Sequence, residues 1–390
     1  MQELFNKLSM KSDKLIFFFI GATFLLLPVR TALPLISIGL ACSLYFISGK
    51  IKDIKFLASE RWLLPIVPFV LLPWVGLLYS KDTVLGLDYA LKTKYWVAVF
   101  IVAGLVWNEN RTRILIKIFW SSLVAGSILG FFQYFGVLKM PSSGYSGFGI
   151  VYTVLSMYLI VGLITATFAF RTAKNSKEKL ILIFLVCLFL FHLLTLKGRN
   201  GYFVLILLSP WLANNLMPSF RKSYKALIIA LLILAISVSP VVQNRIQRTI
   251  EHLQQTTTII KGEWDVQFPR PYMVHQAVKL FLSYPLIGAG TGSLHYYTAQ
   301  EGHPVSHPHN SILYMAASFG SIGVAVYFWI FGQMFIMAWK RRTTMLGNFI
   351  LAICTVIFLG GIFETPILNS GTSLLLPLGY GLLKHLDASR

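Results

Sequence analysis

Long apolar blocks, separated by short clusters of basic residues, run through most of this 390-residue chain. The blocks are roughly 16–28 residues long, the length of an α-helix that crosses the hydrocarbon core of a bilayer. Because a backbone inside lipid must satisfy its own hydrogen bonds, such blocks fold as helices. Hydrophobic residues make up 56% of the chain and charged residues 12%, against about 25% charged in soluble proteins. The sequence therefore predicts an all-α polytopic membrane protein.

Twelve apolar segments are candidates for transmembrane helices. They lie near residues 15–29, 32–48, 62–79, 95–107, 114–137, 148–170, 180–195, 202–217, 226–241, 310–338, 346–362 and 371–386. The fourth is short, and we expect it to include residues of the preceding loop. This pattern divides the chain into residues 1–241 with nine spans, a long loop at 242–309, and residues 310–390 with three spans.

The basic residues predict the orientation, because cytoplasmic loops are enriched in Lys and Arg. With a cytoplasmic N-terminus, 22 of the 34 Lys and Arg residues fall on the cytoplasmic side. An even number of spans returns the C-terminus to the cytoplasm, so the long loop faces outward. The net charge of +20 does not indicate nucleic acid, since the basic residues are scattered over many short loops rather than forming a stripe with interleaved aromatic residues.

The long loop contains one stretch with a clear helical period, RPYMVHQAVKLFLSYP. Its apolar residues recur at i, i+3, i+4, i+7 and i+8, and they are Val274, Ala277, Val278, Phe281 and Leu282. His275, Gln276 and Lys279 fall on the other face. We expect an amphipathic helix that lies with its apolar face against the outer surface of the bundle. A second, more polar helix is predicted before it, within residues 243–262.

Six of the eight histidines lie in the long loop or at its end, and His309 stands apart by its position. If the next helix is capped by Asn310 or Ser311, His309 lies at the positive end of a membrane helix. That placement favours the neutral imidazole, which is the form that accepts a proton in general base catalysis. The alternative is an incidental histidine above ordinary helix packing. The role of the neighbouring His307 stays open.

Two glycines follow His309 at helical spacing. Gly320 is eleven residues on, about 1100° of rotation along a straight helix, so it returns to within roughly 20° of the His309 face, and Gly323 to within about 40°. Glycines on one face let a second helix approach closely. We therefore expect Gly320 and Gly323 to support the position of the histidine.

Basic residues and glycines on the outer side are candidates for binding an anion. Arg199 and Lys197 lie in the short turn LKGRNG, and Arg270 begins the amphipathic helix. Guanidinium groups match phosphate oxygens in bidentate fashion, although snorkelling to lipid headgroups is the alternative. The turn YPLIGAGTG, with Gly288 and Gly290, either presents backbone amides to an anion or is a tight structural turn.

Several classes of site lack their motifs in this chain. No Asp-x-Asp, Gly-x-Ser-x-Gly, Walker loop or His-Glu-x-x-His occurs. His303, His307 and His309 form H-x3-H-x-H, which is not a standard zinc pattern, so we expect no metal and no cofactor. Ionisable residues gather at the outer edge rather than inside the spans, which disfavours a transporter. A neutral base beside phosphate-binding arginines suits group transfer from a lipid pyrophosphate to a hydroxyl.

Three features together resemble the bacterial O-antigen ligase/polymerase superfamily. His309-Asn310, nine residues and then Gly320-Ser-Ile-Gly323 are similar to the H-[NSQ]-x9-G-x-x-G signature of O-antigen ligases. The segment SYPLIGAGTG followed by HPHNSIL looks like the core of the family's shared domain. Arg199 and Arg270 come in the family's order, although Lys197-Gly198 precedes Arg199 where the family often has a serine. The resemblance is strongest over residues 197–323.

The resemblance implies a GT-C-like glycosyltransferase in the inner membrane of a Gram-negative bacterium, acting in lipopolysaccharide biosynthesis. The donor would be a glycan on undecaprenyl pyrophosphate and the acceptor a sugar hydroxyl of lipid A–core, joined on the periplasmic face with inversion and without metal. Membrane lipids are the remaining expected partners. His309 would be the catalytic base, Arg199, Arg270 and Lys197 would bind the pyrophosphate, and Asn310, Gly320, Gly323, His307, Gly288 and Gly290 would support the site.

Other functions remain open within and outside this family. An O-antigen polymerase would use another lipid-linked glycan as acceptor, and a protein O-oligosaccharyltransferase would use Ser or Thr. The spacing that follows His309 favours a ligase over a polymerase. From a different class, a lipid-linked oligosaccharide transporter is the alternative.

Overall fold

The described part of the chain is mostly helical. The computed structural model describes residues 2–30, 32–50, 60–105, 107–139, 145–196, 198–238, 243 and 269–386. Its helices are α1 (Gln2–Leu26), α2 (Ala32–Ile47), α3 (Ile66–Leu77), α4 (Thr83–Leu91), α5 (Val97–Ala103), α6 (Glu109–Tyr134), α7 (Tyr152–Thr172), α8 (Ser176–Thr195), α9 (Arg199–Leu216), α10 (Lys222–Val238), α11 (Pro269–Ser283), α12 (Ser293–Gln300), α13 (Ser311–Lys340), α14 (Met345–Gly360) and α15 (Ser370–Gly381). Short 3₁₀ turns lie at Arg61–Leu63, Lys92–Trp96 and Leu382–Leu386. An antiparallel hairpin of β1 (Tyr145–Ser146) and β2 (Ile150–Val151) precedes α7.

Each of the twelve predicted segments contains helix, which confirms the all-α, membrane-type class. Among the described residues, four helices, α6, α7, α8 and α13, are long and apolar enough to cross a membrane, and α2, the stretch Arg61–Leu77 and α14 are shorter apolar helices. The fourth segment, 95–107, contains the short helix α5. The residues before it form a separate helix, α4, and a 3₁₀ turn, so Thr83–Ala103 is not one continuous helix. The number of twelve spans, the three-part division and the GT-C-like architecture stay predictions.

Helix α7 lies at the centre of the described bundle. Its most apolar window is 83% buried inside the protein, whereas that of α8 is 28% buried. Helix α7 packs against α8, α9 and α14, and its buried face reaches Tyr158, whose side chain is fully enclosed. On the outside, large apolar side chains such as Phe18, Ile47 and Leu78 are exposed. A surface of this kind is typical of a protein solvated by lipid.

Polar side chains mark the first residues of several helices. Asn108 accepts a hydrogen bond from the Arg111 amide at the start of α6, and Thr344 accepts one from the Gly347 amide at the start of α14. Asn175 caps α8 in the same way. Each cap satisfies an amide that has no partner within its helix. These starts follow the short polar segments that separate the apolar blocks.

The amphipathic helix of the long loop is confirmed as α11, but the predicted packing face is wrong. Val274, Val278 and Leu282 are exposed, and Ala277 alone of the five predicted residues is fully buried. Gln276, which was expected on the solvent face, is 3% exposed. The reason is a polar anchor that the sequence pattern does not reveal, because the side chains of Tyr272, Gln276 and Lys279 all donate to Glu301.

The second predicted helix of the long loop, within 243–262, lies outside the described residues except for Gln243. The described part adds a helix that was not predicted, α12. His295 in α12 approaches Asp82, the cap of α4, with Nδ1 2.7 Å from Oδ2. This contact joins the outer loop to the segment between α3 and α5.

Candidate active site

The start of α13 holds His309 next to the segment that follows α14. Asn310 is the N-cap of α13, as predicted, and its Oδ1 accepts a hydrogen bond from the Leu313 amide. Its side-chain amide donates to the Ile362 carbonyl, 2.9 Å away. The Ser311 amide donates to the Gly361 carbonyl at 2.7 Å. The cap therefore fixes residues 309–311 against the turn that carries Glu364.

His309 itself has a left-handed backbone, with φ of 49°. This conformation is uncommon for a residue with a side chain, although His is enriched in it. It costs of order 1–3 kcal/mol and persists where the surroundings determine it. Here the cap at Asn310 and the contact of the His309 amide with His307 Nδ1, at 3.4 Å, are those surroundings. The imidazole is consequently in a fixed place at the outer end of α13.

A carboxylate connects His309 with Arg270. Glu364 Oε2 lies 3.1 Å from His309 Nδ1, and Oε1 lies 3.5 Å from Arg270 Nη2. The Glu364 side chain is 18% exposed. Because an ionised carboxylate only accepts hydrogen bonds, the proton of a neutral His309 belongs on Nδ1. Its Nε2 then carries the lone pair, which is the arrangement of a general base.

The ionisation of Glu364 follows from its neighbours. Burial alone would raise its pKa, but the hydrogen bond from His309 and the positive charges around it, including Arg270, lower the pKa below the ordinary carboxyl value. The group lies between α14 and α15, outside the spans. Glu364 is therefore a carboxylate at neutral pH, and it can orient His309 and stabilise the imidazolium that forms when His309 accepts a proton.

His307 packs directly on His309 and remains neutral. The two ring centroids are 4.4 Å apart in an edge-to-face arrangement. His307 Nδ1 also lies 3.3 Å from the Thr365 hydroxyl. Burial lowers the pKa of His307 to about 4. At neutral pH His307 is thus an uncharged wall of the site.

Of the three predicted cations, Arg270 is fully described, Arg199 is described for its backbone, and Lys197 is not among the described residues. Arg270 is the second residue of α11, and its side chain is 41% exposed, so it can still meet a ligand. The backbone of Arg199 begins α9; nothing is described for its side chain, and Lys197 lies outside the described residues. Helix α9 packs beside the Glu364 turn, because the Phe203 and Phe363 rings are 4.5 Å apart. The fold therefore brings the start of α9 to the same region as Arg270.

The straight-helix geometry predicted for Gly320 and Gly323 is wrong. Gly320 interrupts α13 with φ of 62° and ψ of −153°, so positions after it do not continue the rotation that begins at His309. What packs against the kink is a turn, not a helix. The Ser321 amide donates to the Pro285 carbonyl at 2.8 Å, and a Cβ at Gly320 would lie 2.6 Å from the Ile287 nitrogen.

The same turn explains Gly288 and Gly290. The Ala289 amide donates to the Ala317 carbonyl (2.8 Å) and the Gly290 amide to the Ser318 carbonyl (3.0 Å). A Cβ at Gly288 would overlap the backbone of Ser318 and Phe319. Since these amides are already bonded to the protein, the geometry favours the structural turn over the anion-binding one. The glycine turn therefore joins the outer loop to α13 at Ala317, Ser318 and Ser321, one stretch of the helix further on than the cap beside His309.

Sequence reasoning missed two carboxylates and one amide. Glu364 lies 55 residues from His309, and Glu301 holds α11 through three side chains. Asn200, next to Arg199, is 4% exposed, and both amide atoms lack a hydrogen-bond partner in the described structure. The single usable signal was that Glu364 and Glu301 are two of the few carboxylates on the outer side.

Comparison with known proteins gives one family. Residues 148–328 match the family model described as O-antigen ligase, a segment that runs from just before α7 into α13. It contains Arg199, Arg270, His309 and Gly320, while Glu364 lies beyond it. No curated protein matches the chain.

Proposed function

We propose that this chain, a member of the O-antigen ligase/polymerase superfamily by its residues 148–328, is an O-antigen ligase. The family covers ligases and polymerases, which are glycosyltransferase-like enzymes. In the proposed reaction a glycan moves from undecaprenyl pyrophosphate to a sugar hydroxyl of lipid A–core on the periplasmic face, without metal and with inversion. The observation that carries the proposal is the connected set His309–Glu364–Arg270 at the outer end of α13.

His309 acts on the acceptor. Its Nε2 takes the proton of the acceptor hydroxyl while the oxygen attacks the anomeric carbon of the donor. General base catalysis of this kind contributes typically 10²–10⁴-fold in rate. The bond between the anomeric carbon and the phosphate oxygen breaks in the same displacement, which accounts for inversion. Glu364 holds the reactive tautomer and stabilises the imidazolium, and it is a positioning residue because it acts through His309.

The arginines act on the leaving group. Undecaprenyl pyrophosphate leaves with its charge on the phosphate oxygens, and guanidinium groups stabilise that charge by paired hydrogen bonds. Arg270 is partly exposed and meets Glu364 at 3.5 Å, a long contact. A pyrophosphate carries more negative charge than one carboxylate, so it can replace Glu364 at Arg270. Arg199 and Lys197 are proposed to complete the site from the start of α9.

The test is transfer in vitro with purified protein, undecaprenyl-pyrophosphate-linked glycan and lipid A–core. His309→Ala is expected to lower kcat by about 10²–10⁴-fold while the variant still unfolds in one thermal transition, which shows that it is folded. His275→Ala removes an exposed histidine of α11 and is the matched control, expected to retain activity. Full activity of His309→Ala would refute the assignment. Loss of wild-type activity with a chelator would refute the metal-independent reaction.

Glu364→Gln separates the two sides of the site. The variant keeps the shape of the side chain and removes its charge, so we expect kcat to fall while the donor KM is unchanged or lower, because Arg270 loses a competing partner. An increased donor KM at unchanged kcat would show that Glu364 acts in binding and not through His309.

The cellular phenotype of His309→Ala distinguishes the other functions. A ligase defect leaves lipid-linked polymer together with unmodified core. Short chains of a single repeat on the core indicate the polymerase instead, and intact lipopolysaccharide with unglycosylated protein acceptors indicates the protein O-oligosaccharyltransferase. Accumulation of the lipid-linked glycan on the cytoplasmic leaflet indicates the transporter.

A further inference from the structure

A cavity of about 670 Å³ lies at the end of the bundle opposite to His309. Its lining includes Thr343 and Thr344, just beyond the last residue of α13, whereas His309 precedes the first. The 30 residues of α13, which is kinked at Gly320, separate the two places. The cavity is therefore distinct from the candidate active site, and it lies where the basic clusters predict the cytoplasmic surface.

Two helices begin at this cavity. Asn108 and Thr344, the caps of α6 and α14, are both part of its lining. The first turn of a helix presents amides without helical partners and a partial positive charge, and both favour an anion. The two starts thus contribute a positive potential that depends only on the backbone.

Basic side chains add to this potential. Lys117 and Lys174 line the cavity and make no ion pair within the described residues. Arg113 also lines it and binds Glu109, with Nη2 2.8 Å from Oε1. Glu178 is the remaining carboxylate of the lining. Arg113 and Glu109 neutralise each other. The remaining charges of the lining are two lysines and one carboxylate, and with the two helix starts they give the cavity a net positive potential.

A buried imidazole in the wall has an unused nitrogen. His385 lines the cavity and is 8% exposed, and its Nε2 lacks a hydrogen-bond partner in the described structure. Its ring lies 6.3 Å from that of Trp107, and Trp120 and Phe168 extend the apolar wall. A buried polar atom without a partner carries a free-energy cost that a bound ligand can remove. The cavity accordingly combines a cationic rim with an aromatic, partly polar interior.

We propose that this cavity binds the phosphate-bearing headgroup of an anionic phospholipid from the cytoplasmic leaflet. The volume is within the range of small-molecule sites and far exceeds a single phosphate. A phosphate fits the lysines and helix starts, and the glycerol with the first acyl carbons fits the wall of Trp107, Trp120 and Phe168. Tryptophan is enriched at this level of a membrane, and the anionic headgroups of the inner leaflet attract basic residues. The bound lipid joins α6, α7, α8 and α14 at their common end.

The experiment measures lipid binding by the purified full-length protein in neutral detergent. Phosphatidylglycerol is compared with phosphatidylcholine and with soluble glycerol 3-phosphate, by native mass spectrometry and by the shift in melting temperature. The test variant is Lys117→Gln with Lys174→Gln. The control is Lys177→Gln with Lys179→Gln, which removes the same charge from exposed positions of α8 outside the cavity.

The two double variants are expected to differ in their affinity for phosphatidylglycerol. Loss of two lysines near an anionic headgroup is expected to weaken phosphatidylglycerol binding by about 30-fold, while the control variant binds like the wild type. Equal weakening of both variants, or equal binding of phosphatidylcholine, would refute a built headgroup site. Stabilisation by glycerol 3-phosphate equal to that by phosphatidylglycerol would refute the lipid and assign the site to a soluble phosphate compound.

Discussion

Replacing Gly320 with alanine is expected to destabilise the protein by about 2–4 kcal/mol. The first contribution is backbone strain, because φ of 62° with ψ of −153° belongs to a region used almost only by glycine, and a residue with a Cβ is held there at a cost of order 1–3 kcal/mol. The second is a clash, since the new Cβ would lie 2.6 Å from the Ile287 nitrogen and nearer still to the Leu286 carbonyl.

Relief of that clash would move the turn away from α13. The Ser321 amide would then lose the Pro285 carbonyl and the Ala289 amide the Ala317 carbonyl, both now at 2.8 Å. Each such hydrogen bond contributes about 0.5–1.5 kcal/mol net. The helical advantage of alanine over glycine does not offset this loss, because the dihedral angles at Gly320 are not helical.

The assay is the melting temperature in detergent, with Gly332→Ala as the matched control. Gly332 lies in the same helix, and nothing stands within 4 Å of a Cβ built there. Alanine at Gly332 should therefore raise the melting temperature slightly, whereas alanine at Gly320 should lower it by several degrees. A Gly320→Ala variant that melts at or above the wild type would refute the docked turn and restore the straight helix with ordinary small-residue packing.

A double-mutant cycle with Gly288→Ala sharpens this result. Gly288 has φ of 71° and faces the backbone of Ser318 and Phe319 across the same junction. Once one substitution has released the turn, the other has little left to disrupt, so the double variant should lose less than the sum of the two single losses. Additive losses would show that the two glycines serve separate contacts.

Three further predictions use buried and titrating groups. Asn200→Leu removes two buried amide atoms that lack partners, so the unfolding free energy should rise by about 1–3 kcal/mol, and a lower melting temperature would show that the amide is bonded after all. His307, with a pKa of about 4 against about 6.5 in the unfolded chain, makes the unfolded state bind a proton first; the wild type should therefore lose stability relative to His307→Gln as the pH falls from 6.5 to 4, and parallel melting curves over this window would contradict the lowered pKa. Glu301→Gln removes the charge that Tyr272 and Lys279 bind, so α11 should become more sensitive to protease, and unchanged cleavage would show that the apolar contacts alone hold it.

Local signals in the sequence predicted the local structure well. The apolar blocks and their basic separators are sufficient for the helices, because a backbone in lipid has few alternatives. The cap at Asn310 followed from a polar residue that stands immediately before an apolar block, and α11 followed from its period. All of these depend on residues within one or two helical turns of each other.

The hydrophobic period of the sequence did not predict contacts between distant segments. The spacing after His309 was interpreted with a continuous helix. Helix α13 instead bends at Gly320, because residues on either side of it, such as Ala317 and Ser321, bond to the upstream turn that contains Pro285 and Ala289. The apolar face of α11 was assigned to the bundle, but Glu301 binds Gln276 and Lys279, and Gln276 is buried while Val274, Val278 and Leu282 are exposed. In both cases a tertiary hydrogen bond overrides a correct helical period, and a single sequence contains no record of that partner.

The proposed order of donor binding and acceptor activation also depends on a contact between distant segments, the one that Glu364 makes with His309 and Arg270. Before the donor arrives, Glu364 lies between His309 and Arg270, and one carboxylate balances both. A pyrophosphate that takes Arg270 leaves Glu364 to His309 alone, so Glu364 orients only the imidazole once the leaving group is bound. We infer that this carboxylate couples activation of the acceptor to occupancy of the donor site, which would limit unproductive attack by water. In Glu364→Gln, a fall in kcat without an increase in donor KM is the result that this coupling predicts. The melting temperature of the variant is the control, because a residue that only supported the fold would lower it.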